Sequence, residues 1–372
     1  MDPHIDSPTT GSTSDLPETF QHTQKIDFSK PVQASNLKDK SIVVTGGARG
    51  LGGGSVTAFA EAGAWVTILD INEENGNALA KSLTDKGHHV QFCKTDTTSF
   101  ESQMSAFKSA IHFSPRKTID VVLASAGLGG TNIGNWLDKV TALHASVDPE
   151  PPTTTTLDVN LTAVYYTAHL ALYYFKQTAK PYETVDKHLL FISSLAGYVA
   201  LHQLGDYCAS KYGVRGLWRT LRYSPRILGE NMPLFRTNLI CPTFIKTDMT
   251  TTIVEALGGY GIAMGEVEDV VAGIMRASCD DSIRGRAIAI AARDKVPGDK
   301  NFDICDDWEG LDGGREVLGK VRDSTIWGLE IVGNEAGQVR KDKYDGHVSE
   351  LLTRDGKGGV AEVEQQESDT GV

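Results

Sequence analysis

Tyr207 and Lys211 occupy positions i and i+4 of Tyr-Cys-Ala-Ser-Lys, which opens a helix-length segment and sets a phenol and an ammonium group on one face. An unperturbed phenol ionises at about 10 and is a sluggish base at neutral pH. A neighbouring lysine cation favours the phenolate and moves that value toward neutrality. A pair so tuned can take a proton from an alcohol or deliver one to a ketone. The spacing alone is common on amphipathic helices, so its meaning depends on its neighbours. Upstream, Ser194 closes the apolar run His-Leu-Leu-Phe-Ile-Ser-Ser. A hydroxyl at the carboxyl end of a strand points into the crevice where parallel sheets bind ligands, so Ser194 is placed to hydrogen-bond the same reacting oxygen.

Thr45-Gly46-Gly47-Ala48-Arg49-Gly50-Leu51-Gly52 follows the run Ser-Ile-Val-Val-Thr and precedes a helix-length stretch. Glycines serve where the chain turns sharply and where backbone must approach a pyrophosphate, whose charge meets the amides and dipole of the helix start. Roughly 20 residues later the next strand closes in Asp70, at the distance where a carboxylate accepts hydrogen bonds from a ribose diol. Asp70 would repel a 2′-phosphate, which favours NAD over NADP. Arg49, beside the turn, is the counter-argument, because a guanidinium there can hold that phosphate.

These groups need a scaffold, and the chain supplies one. The apolar runs at 41–45, 65–70, 89–94, 120–125, 188–193, 234–240 and 286–292 alternate with segments of helical period. Most lack polar alternation, as in strands covered on both faces, so an α/β fold follows: a single doubly wound, Rossmann-like parallel sheet of about seven strands flanked by helices. Residues 38–293 are expected to form this domain. Residues 1–37 and 354–372, polar and rich in Ser, Thr, Pro, Gly or Asp, are expected to be disordered, and 294–353 to pack on the domain as an extension. The stretch Leu128–Pro152 is long and rich in Gly and Pro for a connection, and is expected to border the site.

The formal net charge of −12, with no basic run, argues against binding nucleic acid or anionic lipid. Cys93, Cys208, Cys241, Cys279 and Cys305 show no zinc or redox spacing and read as reduced thiols. The acidic run Asp303–Asp312 is not spaced as a calcium loop, so no metal is expected. With neither a leader-like apolar start nor a bilayer-length apolar run, a cytoplasmic protein without membrane insertion is expected.

The turn has the spacing G-x-x-x-G-x-G, and together with Ile-Ser-Ser-Leu-Ala-Gly and Tyr-Cys-Ala-Ser-Lys it resembles the motifs of the short-chain dehydrogenase/reductase family. The resemblance runs from about Leu37 to Ala292, with motifs in the family order. It selects Ser194 over Ser193, which reads as structural, and implies that Asn160 completes an Asn-Ser-Tyr-Lys tetrad by organising a water beside Lys211. The other use of such an Asn is to cap or stabilise a helix kink. By the same resemblance Asp96-Thr97 meets the adenine, though an Asp before a helix is as often an N-cap. Ser125-Ala126-Gly127 stands where the family has Asn-Ala-Gly. Pro242, Ile245 and Thr247 keep the spacing of the segment that packs on the nicotinamide, with Thr243 in place of a glycine and the Thr247 hydroxyl toward the carboxamide. Gly53 and Gly54 add two glycines to the first helical turn and lower its helix propensity.

Within the family, the sequence is most similar to a branch holding 15-hydroxyprostaglandin dehydrogenases and fungal dehydrogenases of polyketide alcohols, such as 5′-hydroxyaverantin dehydrogenase. The implied activity is NAD(P)-dependent interconversion of a secondary alcohol and a ketone by a homodimer or homotetramer. The segments Leu128–Pro152, Tyr198–Asp206 and Thr250–Gly265, with a lid at Gly258–Gly261, are apolar. They suit a medium-sized hydrophobic substrate such as a polyketide or terpenoid intermediate. The competing class is a catalytically inactive dinucleotide sensor or scaffold, against which the complete tetrad speaks. An α/β-hydrolase is disfavoured because no G-x-S-x-G elbow surrounds Ser194.

Overall fold

The computed structural model describes residues 25–133, 148, 150–201, 204–253, 264–290 and 301–304. The chain divides into Met1–Asp307 and Trp308–Val372, and every described residue belongs to the first unit. Of the expected disordered ends, 1–37 and 354–372, residues 1–24 and 354–372 lie outside the described residues, whereas 25–37 are ordered against the domain with Ile26 and Leu37 buried in its core; the extension beyond 304, with Cys305 and most of the acidic run, also lies outside. So do 134–147 and Pro149 of the long loop, and the glycine-rich stretch Gly258–Gly261.

Each expected strand forms within two residues of its apolar run: β1 (Ser41–Thr45), β2 (Trp65–Asp70), β3 (His89–Lys94), β4 (Val121–Ala124), β5 (Lys187–Ile192), β6 (Phe235–Pro242) and β7 (Ala287–Ile290). The helices α1 (Gly50–Glu61), α2 (Glu73–Thr84), α3 (Phe100–Phe113), α4 (Thr155–Leu157), α5 (Ala163–Thr178), α6 (Gly205–Leu221) and α7 (Val267–Cys279) lie between them. An eighth strand, β8 (Asn301–Asp303), extends the sheet beyond the seven runs read from the sequence. The strand order is β3-β2-β1-β4-β5-β6-β7-β8, with β8 antiparallel to β7 and every other pair parallel.

The unbroken apolar character of the strands has a direct structural counterpart. Ile42 and Val44 of β1, Val121 and Leu123 of β4, and Leu190 and Ile192 of β5 join one buried cluster, closed by Val56 and Phe59 of α1 and Val270 and Ile274 of α7. Their neighbours Val43, Val122 and Leu189 turn to the other face, under Phe107 of α3, Phe175 of α5 and Trp218 of α6. Side chains alternate between two covered faces, so no position in a central strand meets water.

Gly54 explains part of the glycine-rich start of α1. A Cβ there would lie 2.9 Å from a Val267 methyl and 3.0 Å from one of Val271, so its absence lets α1 rest against α7. Low helix propensity is offset by close packing. The amino-terminal end of the sheet carries a buried ionic layer: Lys187 pairs with Asp120 at 2.9 Å, and Arg236 pairs with Asp186. Asp303, first of the acidic run, is held by Arg286 at 2.7 Å and accepts the Ile26 amide at 2.8 Å. One carboxylate thereby joins β7, β8 and the segment leading into the domain.

Candidate active site

The chain leaves β3 at one edge and returns as β4 on the far side of β1, so the strand order reverses between β1 and β4 and opens a crevice at their carboxyl ends. Thr45, the last residue of β1, accepts the amides of Ser125 and Ala126 on its hydroxyl at 3.1 and 3.2 Å. Gly46 turns with φ +65°, and a Cβ on it would come 2.6 Å from the Ala126 Cα. The two loops that border the crevice are thus in contact, and only glycine fits between them.

The beginning of α1 faces this crevice in a form suited to an anion. Asn72 caps α2 and Ser99 caps α3, each by accepting an amide of the first turn, whereas no side chain caps α1. A Cβ on Gly50 would meet nothing within 4 Å, which marks open space above the helix start. Uncapped amides beside open space fit a pyrophosphate. Asp70, at the end of β2, accepts the Ala48 amide at 3.0 Å on one oxygen and the Asn72 amide at 2.9 Å on the other. Its carboxylate is therefore fixed against the glycine turn. Arg49 is exposed and pairs with Asp248 at 3.0 Å, across from the turn. Leu51 packs on the α1 side of the core.

Across the crevice, the other expected residues converge. Ser194 caps the short turn Leu195–Gly197 by accepting the Ala196 amide at 3.1 Å, and its hydroxyl donates to the Pro242 carbonyl at 3.3 Å. The Ser194 side chain stands beside the Tyr207 phenol and acts to lower its value. The Lys211 ammonium lies 5.5 Å from the centre of the Tyr207 ring and donates to the Ile192 carbonyl at 3.3 Å. Gly127 adjoins both remaining members: a Cβ there would lie 3.3 Å from Asn160 Oδ1 and 3.8 Å from Lys211 Nζ. Ser193 donates to the Lys211 carbonyl at 3.0 Å and so braces the strand end on α6.

Asn160 lies in a π-helical segment, Asp158–Thr162, that joins α4 to α5. Its amide group is fully buried and spent on protein: Oδ1 accepts the Leu128 amide at 2.7 Å, and Nδ2 donates to the Leu128 carbonyl at 2.9 Å and to Ser210 Oγ at 3.3 Å. The side chain thus ties the kinked helix start to the loop after β4.

The chain's own groups do not by themselves favour the phenolate. Burial pushes the Tyr207 phenol above its ordinary value, and the Ser194 side chain only partly opposes this. Burial likewise pushes the Lys211 ammonium down to about 8. A phenolate is costly in this buried site, and Lys211, though still mostly charged at neutral pH, does not offset that cost.

Other positions take more local roles. Asp96 accepts the Thr98 amide and hydroxyl, at 2.9 and 2.7 Å, in a turn ahead of α3, while Ser99 supplies the N-cap. The Thr97 carbonyl accepts from Gln103 at 2.6 Å. Thr243, where a glycine was the usual residue, donates through its amide and its hydroxyl to the Ile290 carbonyl, each at 3.0 Å, and so anchors the loop to β7. Ile245 is buried and bridges to Gly265, and Thr247 lies partly buried, held through its backbone by Thr250.

Two residues with evident roles were not singled out from the sequence. Arg215 donates to the Gly197 carbonyl at 3.0 Å and stacks on Tyr198, and Asp206 binds the loop after β4. Arg215 stands one turn beyond Lys211, beside Val214 and Trp218 on the buried face of α6, and an arginine there was a readable signal.

A doubly wound sheet with an anion-ready turn at its switch point, facing a Ser-Tyr-Lys cluster, defines a nicotinamide-dependent oxidoreductase. A family model for short chain dehydrogenases matches residues 40–258, and the chain belongs to that family. The 5′-hydroxyaverantin dehydrogenase of Dothistroma septosporum is 38% identical over 290 residues, covering 75% of this chain and 92% of that protein. The NADP-dependent dehydrogenase M3 of a Phoma species is 35% identical over 314 residues, covering 82% of this chain and 90% of the other. A short-chain type dehydrogenase/reductase from Mycobacterium ulcerans superposes with a TM-score of 0.56 at 24% identity, covering 68% of this chain and 88% of that one, and attests the fold. Among the described residues no helix is long and apolar enough to cross a membrane.

Proposed function

We propose that this enzyme interconverts a secondary alcohol and a ketone on a medium-sized hydrophobic intermediate of secondary metabolism, of polyketide or terpenoid type, with NAD as cofactor. The observation that carries this reading is the convergence of Ser194, Tyr207 and Lys211 at the carboxyl ends of the strands, facing the uncapped start of α1. The names of the fungal relatives support the substrate class, because 5′-hydroxyaverantin dehydrogenases occur among them in both Dothistroma septosporum and Emericella nidulans. This favours the fungal side of the branch over the prostaglandin dehydrogenases. The fixed carboxylate of Asp70 supports NAD, although relatives named as NADP-dependent, from Phoma and Cochliobolus lunatus, point the other way.

In this reading the bound nicotinamide supplies or accepts the hydride. Ser194 holds the substrate oxygen, and Tyr207 moves the proton at that oxygen. Lys211 holds ribose hydroxyls and stabilises the phenolate, while Asn160 fixes the loop that carries Gly127. Gly46, Gly50 and Gly52 shape the pyrophosphate turn with Leu51, and Asp70 takes the ribose. Asp96 and Thr97 border the adenine, and Ser125, Gly127, Pro242, Ile245 and Thr247 border the nicotinamide. Residues 38–293, completed by β8, constitute the catalytic domain, and the enzyme works in the cytoplasm as a homodimer or homotetramer.

The test follows absorbance of reduced nicotinamide, with NAD and NADP separately, across a panel of hydrophobic secondary alcohols and ketones. Turnover with NAD is the expected result. Tyr207→Phe should bind NADH within about twofold of wild type and lose turnover by about a thousandfold or more. NADH binding with no turnover on any compound would instead favour a sensor, and full activity of the variant would remove Tyr207 from the mechanism.

A further inference from the structure

We infer that Asp206 is a positioning residue, which pins the first turn of the substrate loop against the catalytic Tyr207 and so fixes the wall of the substrate site. The inference rests on the proposed role of Tyr207 and extends it to the residue before it.

Asp206 lies in the first turn of α6, and its carboxylate bridges the helix start and the loop that leaves β4. The Thr131 amide donates to both carboxylate oxygens, at 3.0 and 3.1 Å, and the Tyr207 amide donates to Oδ1 at 2.7 Å. The Thr131 and Thr156 side chains stand beside the carboxylate and add to its stabilisation. Burial pushes this carboxyl up, yet the amides and these side chains outweigh it and hold it below its ordinary value, so it remains an ionised acceptor at neutral pH.

The loop is held at two points. Asn160 binds both the amide and the carbonyl of Leu128, at 2.7 and 2.9 Å. Asp206 holds Thr131, and between the two anchors the Thr156 hydroxyl donates to the Gly129 carbonyl at 3.3 Å. Gly130 is pressed into the gap: a Cβ there would come 2.6 Å from the Tyr207 Cβ and 2.8 Å from Asp206 Oδ1. No side chain separates loop from tyrosine at this point, so displacement of the loop reaches the Tyr207 side chain directly. The long connection that follows starts from this fixed base, which makes Asp206 the point where α6 registers the substrate loop against the catalytic phenol.

The experiment compares wild type, Asp206→Ala, Asp206→Asn and Thr156→Val by hydrogen exchange of peptides spanning 126–133 and by steady-state kinetics. Asp206→Ala should speed exchange at Thr131 by about tenfold or more and raise KM for the alcohol by about fivefold or more. KM for NAD should stay within about twofold. Asp206→Asn keeps an acceptor oxygen toward both amides and should restore most of the protection and of the KM. Thr156→Val removes one hydroxyl donor and should fall between, which keeps the test decisive if Asp206→Ala does not fold. Unchanged exchange over 126–133 in Asp206→Ala or Thr156→Val would overturn the inference, as would KM values for alcohol and NAD that rise together. A wild-type enzyme idle on every substrate would defeat the proposed function, while hydrogen exchange would still decide the role of Asp206.

Discussion

The guanidinium of Arg215 lies 4.0 Å from the centre of the Tyr198 ring, and the same group donates to the Gly197 carbonyl at 3.0 Å. Tyr212 reaches the Tyr198 carbonyl at 2.7 Å, and Ser193 reaches the Lys211 carbonyl at 3.0 Å. The helix bearing Tyr207 and Lys211 thus grips both ends of the turn bearing Ser194. The relative placement of the three groups depends on α6.

Arg215→Met should therefore cost both stability and rate. A stranded Gly197 carbonyl and a lost ring contact should destabilise the fold by about 1–3 kcal/mol, read by urea unfolding. With the Ser194 turn loosened, kcat should fall about tenfold or more while NADH affinity, read by fluorescence, stays near wild type. Equal loss of both would show that Arg215 supports the whole crevice and not the turn.

The direction of the Tyr207 shift makes a prediction about pH. With the phenol pushed above its ordinary value, alcohol oxidation, which needs the base, should climb between pH 6 and 7.5 by close to tenfold per unit. Ketone reduction, which needs the neutral phenol, should stay level in that window, where Lys211 also keeps its charge. A flat oxidation profile would show that the bound cofactor has already brought the phenol into the neutral range.

Lys211 gives a linked prediction for stability. Its value is about 8 in the folded chain against 10.5 for the free group, so between these values the unfolded chain binds more protons and stability rises with pH. Wild type should gain about 2 kcal/mol relative to Lys211→Met between pH 7.5 and 9.5. Urea unfolding at both values reads the difference, and parallel behaviour of the two proteins would mean that Lys211 titrates alike when folded and unfolded.

Asp70→Ser removes the charge that should repel a 2′-phosphate while keeping one acceptor for the Ala48 or Asn72 amide. The NADP/NAD ratio of kcat/KM should rise by about tenfold or more. An unmoved ratio would transfer the choice of cofactor to Arg49.

The seven principal strands were legible because a strand covered on both faces must be apolar throughout, and Ile42-Val43-Val44 or Leu189-Leu190-Phe191 admit little else. The glycine turn was legible because Gly46 has no substitute where it meets Ala126. What escaped the sequence is fixed by distant partners. The short β8 has no periodicity and forms by pairing with β7. Nothing in Asp158–Thr162 announces a π-helical segment, which is held by Asn160 bonds to a loop 32 positions earlier. The upward push of burial on Tyr207 was not legible for the same reason: spacing brings the lysine near, but burial is a property of the whole fold.

The expected end of the catalytic domain, residue 293, lies just short of β8. A chain cut there would lose Asp303, and with it the partner of Arg286 and of the Ile26 amide. It would also uncover Ala-Ile-Ala-Ile along a bare sheet edge, a template for another chain. In a recombinant protein, the choice of end point thus decides between a finished sheet and a self-associating one.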